Sequence, residues 1–161
     1  MKPSFRLRPI GVIHSPFKEC KDMPIQPTLA SGVTGSVEVL EEFAPGLEDL
    51  VGFDRIWLLF WCHRAGPVRM RVTPFLDNRE RGLFSTRAPA RPNPIGLSHV
   101  RLLSVEGAVL RITELDVLDG TPLLDIKPYA PRFDCVQTIR CGWLDALSTK
   151  DRVADDRFEK D

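Results

Sequence analysis

Prolines and glycines interrupt this chain too often for long helices to form. The 161 residues include 14 prolines and 11 glycines, and both are spread along the whole length. Proline removes a backbone hydrogen-bond donor and clashes with the preceding turn of a helix, and glycine lowers helix stability by about 1 kcal/mol. Short apolar segments lie between these interruptions. The pattern favours an all-β fold, a compact single-domain barrel or sandwich with long loops and little helix.

Alternating polarity places eight short strands along the chain. The segment 55–63 is rich in large apolar residues and is expected to be buried on both faces. A hairpin is expected through Glu106-Gly107, because glycine readily adopts the conformation of a tight turn. The barrel domain is expected over residues 1–140, followed by a short C-terminal helix or tail over 141–161. The predicted strands cover residues 7–15, 35–40, 55–63, 68–73, 82–86, 97–105, 109–115 and 123–126.

The sequence lacks the motifs of several common protein classes. No apolar run approaches the roughly 20 residues of a membrane helix, and no signal peptide is apparent, so a cytoplasmic protein without membrane contact is expected. No GxGxxG, P-loop, HExxH or GxSxG motif appears. The histidines His14, His63 and His99 lack ligand-like spacing, and no two cysteines have CxxC spacing, so no metal site is expected.

Charge is unevenly distributed although the net charge is zero. Residues 64–101 contain eight arginines and no lysine, against only Asp77 and Glu80. Planar guanidinium groups suit phosphate and carboxylate, so this block is a candidate contact for a polyanion. The alternative is a solvated face whose charge the acidic ends of the chain or a dimer contact neutralise. Arg69 and Arg71 are expected on one face of the predicted strand 68–73.

Two segments combine polar and apolar residues in ways that suggest a site. Three prolines stiffen residues 84–98, which carry Arg87 and Arg91, and a rigid loop presents polar groups at low entropic cost. Residues 114–129 hold four carboxylates, one lysine and the only tyrosine among apolar residues. Carboxylates in apolar surroundings tend to be paired or to have shifted pKa values. A plain strand connection and a surface ion pair are the alternative interpretations.

Four stretches of the chain form a specific pattern, IGVIHSPF at 10–17, residues 54–63, GLFSTRAPARPNPIGLS at 82–98 and LDVLDGTPLLDIKPY at 115–129. Together they resemble the TrmO (TsaA-like) family. The resemblance covers roughly residues 7–134 and implies a β-barrel distinct from Rossmann-type methyltransferases. It also implies a homodimer that uses S-adenosyl-L-methionine to methylate N6 of threonylcarbamoyladenosine, next to the anticodon of tRNA.

The resemblance also implies which residues contact the cofactor. Ile25 occupies a position where many relatives carry a basic residue, and some relatives carry an additional C-terminal domain. The first difference weakens Ile25 as a polar contact, and the second bears on the tRNA substrate more than on the cofactor. The implied cofactor contacts are Pro24, Ile25, Gln26, His63, Arg64, Arg87, Leu97, Glu114, Leu115 and Asp116.

Methyl transfer from a sulfonium to nitrogen needs positioning and a path for the departing proton. Asp119, Asp125 and Tyr129 are the candidate bases, and Lys127 is a candidate for orienting one of them or lowering its pKa. The arginine block would hold phosphates of the anticodon loop. Two alternatives stay open from the sequence. One is a non-catalytic RNA- or nucleotide-binding barrel, and the other is a methyltransferase with the same cofactor and a small-molecule acceptor.

Overall fold

The computed structural model describes residues 6–147 and 153–159 and is built around a closed antiparallel barrel. Six strands follow each other around the barrel in the order β1-β2-β7-β6-β3-β8, and a separate two-stranded sheet pairs β4 with β5. The strands are β1 (Gly11–His14), β2 (Thr34–Val39), β3 (Arg55–Trp61), β4 (Arg71–Val72), β5 (Arg81–Gly82), β6 (Ile95–Glu106), β7 (Val109–Thr113) and β8 (Thr121–Pro128).

Helical structure in the described residues is limited to short segments of at most seven residues, as the proline and glycine spacing predicts. The only α-helix in the described residues, α1, covers Pro131–Asp134. The 3₁₀ turns are Pro27–Leu29, Glu41–Leu47, Leu50–Gly52, Leu83–Ser85 and Gly142–Ala146. The predicted all-β barrel with long loops and little helix is therefore confirmed.

The barrel closes where β1 pairs with β8, which leaves no free edge among its six strands. Side chains alternate inward and outward along each strand, so β3 buries every second residue. The prediction that this segment is buried on both faces is wrong, because its outer face is only half covered. The fully buried inward residues include Ile13, Val37, Ile56, Leu58, Val100, Leu110, Ile112 and Leu123.

The hairpin through Glu106-Gly107 is confirmed, with Gly107 at a φ of 61° between β6 and β7. The strand predicted over 82–86 is wrong, because Leu83–Ser85 forms a 3₁₀ turn. The Ser85 and Thr86 hydroxyls donate to the carbonyls of Gly82 and Leu83, each at 2.8 Å. Such local side-chain bonds compete with strand pairing.

The strand predicted over 68–73 shrinks to Arg71–Val72. Val68 and Met70 are more than half exposed, so they do not form the apolar side of an alternating strand. Arg69 N instead donates to the carbonyl of Ala90 in the proline-rich loop, at 3.1 Å. Where the sequence predicts a short helix or tail over 141–161, the described residues form the 3₁₀ turn Gly142–Ala146 and a segment 153–159 with two isolated β-bridges. Residues 148–152 lie outside the described residues.

Truncation of one core side chain tests the barrel packing. Leu58→Ala is expected to lower the free energy of unfolding by about 2–5 kcal/mol, because Leu58 is fully buried and its removal leaves a cavity. Urea denaturation measures the change. Leu103→Ala is the control, since Leu103 is 55% exposed on β6 and its truncation should cost far less. Equal losses in both variants would contradict this packing.

Candidate active site

A cavity of about 380 Å³ lies at one end of the barrel, where β3 ends and β6 and β8 begin. Gly96 on β6 faces Phe60 on β3, and a Cβ at residue 96 would lie 2.1 Å from Phe60 Cε2. Glycine therefore allows the Phe60 ring to lie across the strand and form part of the cavity floor. The other walls come from residues 20–26, 86–91 and 154–159.

The proline-rich loop is held rigidly by one of its own arginines. Arg91 Nη1 donates to the carbonyls of Thr86 at 2.9 Å and Ala88 at 3.3 Å. Ala88 and Ala90 are buried in a small apolar cluster below the loop. With its backbone fixed in this way, the loop presents Arg87 at the cavity. Arg87 Nη1 donates to Gln26 Oε1 at 2.6 Å and so links two cavity walls.

The C-terminal segment 153–159 forms a wall of the cavity and packs on the barrel domain. Its backbone bridges two other walls, pairing Val153 with Pro24 and Glu159 with Ala65. Phe158 is only 6% exposed and packs against Phe75, with ring centroids 5.2 Å apart. The sequence predicted a frayed tail here, since the segment is polar and gives no sign of its distant partners.

Most of the residues implied as cofactor contacts meet at this cavity. Leu115 is an exception, because it is fully buried in the barrel core. Glu114 is the other exception, and it lies 2.7 Å from Arg55 Nη2 in an ion pair. The implied contacts that line the cavity are Pro24, Ile25, Gln26, His63, Arg64, Arg87, Leu97 and Asp116.

The four residues predicted to be catalytic do not line the cavity. Asp119 accepts hydrogen bonds from Lys18 Nζ at 2.5 Å and from Ser15 N at 2.9 Å, and Lys18 lowers the pKa of its carboxyl. Asp125 and Lys127 pair with each other at 2.9 Å and are both substantially exposed. Tyr129 packs against two rings, Trp57 and His99, whose centroids lie 5.6 and 5.8 Å from its own.

Asp116 differs from those four because it lines the cavity with an uncommitted oxygen. Its Oδ1 is buried and has no hydrogen-bond partner among the described residues. Burial raises the pKa of Asp116 to about 6. The sequence did contain a signal for this residue, a carboxylate between Leu115 and Val117, both buried.

The two cysteines at the cavity are protonated at neutral pH. Burial, helped by the neighbouring Glu159, raises the pKa of Cys20 to about 12. Burial also raises the pKa of Cys62 to about 11, with Asp116 contributing. Neither thiol is therefore poised to act as a nucleophile.

Both signs of charge line the cavity. Arginines stand beside carboxylates around an otherwise apolar space, which suits a ligand that carries a carboxylate and a cationic group on an apolar frame. Among the described residues, no group of three histidine, cysteine, aspartate or glutamate side chains could hold a metal ion. No helix in the described part of the chain is long and apolar enough to cross a membrane.

The fold and the cavity define a class of small antiparallel barrels that bind a charged ligand at one open end, without a dinucleotide-binding motif. The sequence model of the tRNA-methyltransferase O N-terminal domain matches residues 12–135. The chain belongs to this family.

Relatives with printed names support the same assignment. A probable S-adenosyl-L-methionine-binding protein of Pyrococcus abyssi is 54% identical over 138 residues, which cover 86% of this chain and 75% of that protein. The tRNA (adenine(37)-N6)-methyltransferase of Escherichia coli is 39% identical over 138 residues, covering 80% of this chain and 59% of that protein. The crystal structure of TrmO from Pseudomonas aeruginosa superimposes with a TM-score of 0.74 at 40% identity, covering 88% of this chain and 63% of that one. The chain thus spans less than two thirds of the latter two proteins.

Proposed function

We propose that the protein is an S-adenosyl-L-methionine-dependent methyltransferase that methylates N6 of an adenine in tRNA. The finer proposal is that this adenine is the threonylcarbamoyladenosine next to the anticodon. The observation that carries the proposal is the mixed-charge cavity at the barrel end, within a chain of the tRNA-methyltransferase O family. The names of the Escherichia coli and mouse relatives, both tRNA (adenine(37)-N6)-methyltransferases, support the reaction.

The residues of the cavity fit the proposed cofactor. S-adenosyl-L-methionine carries a carboxylate, an ammonium and a sulfonium, and it supplies an electrophilic methyl group. Arg87 stands at the cavity on a rigid loop and suits the carboxylate, with Gln26 held beside it. Phe60 and Leu97 offer apolar surface for the rest of the molecule. Asp116, whose buried Oδ1 has no hydrogen-bond partner in the described structure, lines the same cavity and is left for the acceptor.

The arginine block supplies fewer free cations than the sequence suggests. Arg71 pairs with Glu80 at 3.2 Å, and Arg81 pairs with Asp77 at 2.7 Å. Arg91 is used inside the proline-rich loop. In the described part of the chain, Arg79 and Arg101 are exposed and have no side-chain hydrogen bond or ion pair. These two, together with Arg87 at the cavity, are the proposed contacts for RNA phosphates.

A methyl-transfer assay with matched tRNAs tests the proposed reaction. The acceptors are tRNA carrying threonylcarbamoyladenosine and the same tRNA without it, each incubated with labelled cofactor. We expect label in the modified tRNA only. Equal labelling of both, or labelling of small molecules alone, would contradict the proposed acceptor. Bound cofactor and RNA without any transfer would point to a non-catalytic binding barrel.

We also propose that the protein is a cytoplasmic homodimer. Three large apolar side chains in α1 and the segment after it are exposed, Phe133 by 72%, Val136 by 75% and Ile139 by 98%. Large exposed apolar side chains that are close in the chain suit a protein interface. A second copy of the chain is the proposed occupant, because isologous dimers are the commonest assemblies.

Ile139→Arg tests the dimer. The variant is expected to sediment as a monomer at micromolar concentration, because a charge in an apolar interface loses its hydration without gaining a partner. Val51→Arg is the matched control, since Val51 is 71% exposed in a different part of the surface. Sedimentation velocity compares both with the unaltered protein. An unaltered protein that is already monomeric with cofactor bound would refute the dimer.

A further inference from the structure

Asp116 is fixed at the cavity by its neighbours in the chain. It lies in the loop between β7 and β8, and its neighbours Leu115 and Val117 are anchored in the barrel core with 0% and 2% exposure. The backbone at residue 116 therefore has little freedom to turn the side chain away. One carboxylate oxygen, Oδ1, is left buried and without a hydrogen-bond partner in the described structure.

The other two carboxylates of the cavity are already committed. Asp155 is paired with Arg157. The Nη2 and Nε atoms of Arg157 donate to Asp155 Oδ2 at 2.5 and 2.9 Å. Glu159 Oε1 lies 3.0 Å from Arg64 Nη2, close enough for an ion pair, although the geometry is not that of a hydrogen bond. Among the three, Asp116 has the oxygen that is free to take a proton from a bound molecule.

We propose that Asp116 is the catalytic base of the methyl transfer, accepting at Oδ1 the proton that leaves the acceptor nitrogen. This inference rests on the proposed function. The N6–H bond breaks and its proton passes to Oδ1. The nitrogen electron pair forms the new bond to the methyl carbon, and the electron pair of the broken carbon–sulfur bond stays on sulfur. The carboxylate charge and the sulfonium charge disappear together, so the step does not change the net charge of the cavity.

The groups that face Asp116 suit this role. The Ser98 side chain from β6 and Arg87 from the proline-rich loop both favour the charged form of the carboxylate. Cys62, at the end of β3, is a neutral thiol at neutral pH and adds no charge. Desolvation is the strongest influence and raises the pKa of Asp116 to about 6. A base with that pKa is ionised at pH 7 and still holds a proton more firmly than an exposed aspartate.

Asp116→Asn tests the proposal, because it keeps the shape of the side chain and removes the basic oxygen. At saturating cofactor and tRNA, kcat is expected to fall by about 100-fold or more, in the range of general base catalysis. Cofactor affinity, measured by calorimetry, should change by less than about fivefold. The kcat of the unaltered enzyme should rise tenfold per pH unit below about pH 6 and level off above it. This rise should be absent in the variant.

Two further measurements keep the outcomes distinct. The carboxyl carbon of Asp116, followed by NMR in the unaltered protein without tRNA, should titrate near pH 6 and not near pH 4. Ser98→Ala should lower kcat by a smaller factor than Asp116→Asn does, and it should keep the pH-dependent rise.

A kcat within threefold of the unaltered enzyme in Asp116→Asn would overturn the proposal. The proposal would also be overturned if Asp116→Asn bound the cofactor much more weakly but kept full kcat at saturating cofactor. That result would make Asp116 a cofactor ligand. An unaltered protein that transfers no methyl group to any tRNA would instead overturn the proposed function, whatever Asp116 does.

Discussion

Replacing Arg87 with alanine is expected to weaken S-adenosyl-L-methionine binding by about 10- to 30-fold, as measured by calorimetry. The estimate is the lower part of the range for a hydrogen bond to a charged group, about 1.5–3 kcal/mol, because the Arg87 side chain is exposed in the free protein. Loss of the guanidinium also removes the 2.6 Å contact with Gln26, so the loop 24–26 loses an anchor at the cavity.

Arg79→Ala is the matched control for charge, since Arg79 is exposed and does not line the cavity. Its cofactor affinity should stay within twofold of the unaltered protein. Arg87 is expected to bind the cofactor carboxylate and also to anchor the loop 24–26 through Gln26. Gln26→Ala separates these two effects, because it removes the anchor and leaves the guanidinium in place. Unchanged affinity in Arg87→Ala would exclude this arginine as the partner of the cofactor carboxylate.

Methyl transfer to tRNA is expected to lose about 20-fold in kcat/KM when monovalent salt rises from 50 to 200 mM, the loss for three phosphate contacts with single-stranded RNA. Only three phosphate contacts are expected because Arg71 and Arg81 already have carboxylate partners in the structure. Cofactor binding should depend much less on salt, because the ligand is small and carries few charges.

Single substitutions assign the contacts. Arg79→Ala and Arg101→Ala should each reduce the slope of log kcat/KM against log salt by about 0.7, the contribution of one phosphate contact. Arg71→Ala is the control, and its slope should match that of the unaltered enzyme because Glu80 already neutralises this side chain. If Arg71→Ala reduced this slope more than the other two variants do, the RNA would follow a different path across the protein.

The sequence determined those features that depend on near neighbours in the chain. The spacing of proline and glycine excluded long helices, and the Glu106-Gly107 turn joined two strands that are adjacent in the barrel. The apolar run at 55–63 predicted a strand there, although only the structure showed that one of its faces is half covered. The proline-rich loop was identified as part of a site because its three prolines make it rigid, and these are visible in the sequence. These are local properties, so a single sequence is enough to predict them.

Only the tertiary structure decided which polar groups are free to act. Asp119 and Asp125 looked like bases in the sequence, yet both lie outside the cavity and pair with Lys18 and Lys127. Asp116 stands in the same stretch, but burial leaves its Oδ1 without a partner. The C-terminal segment 153–159 reaches the cavity through backbone bridges to residues 24 and 65. Ion pairing, desolvation and such bridges depend on which distant residues meet, and that is set by how the barrel closes and how its loops fold over one end.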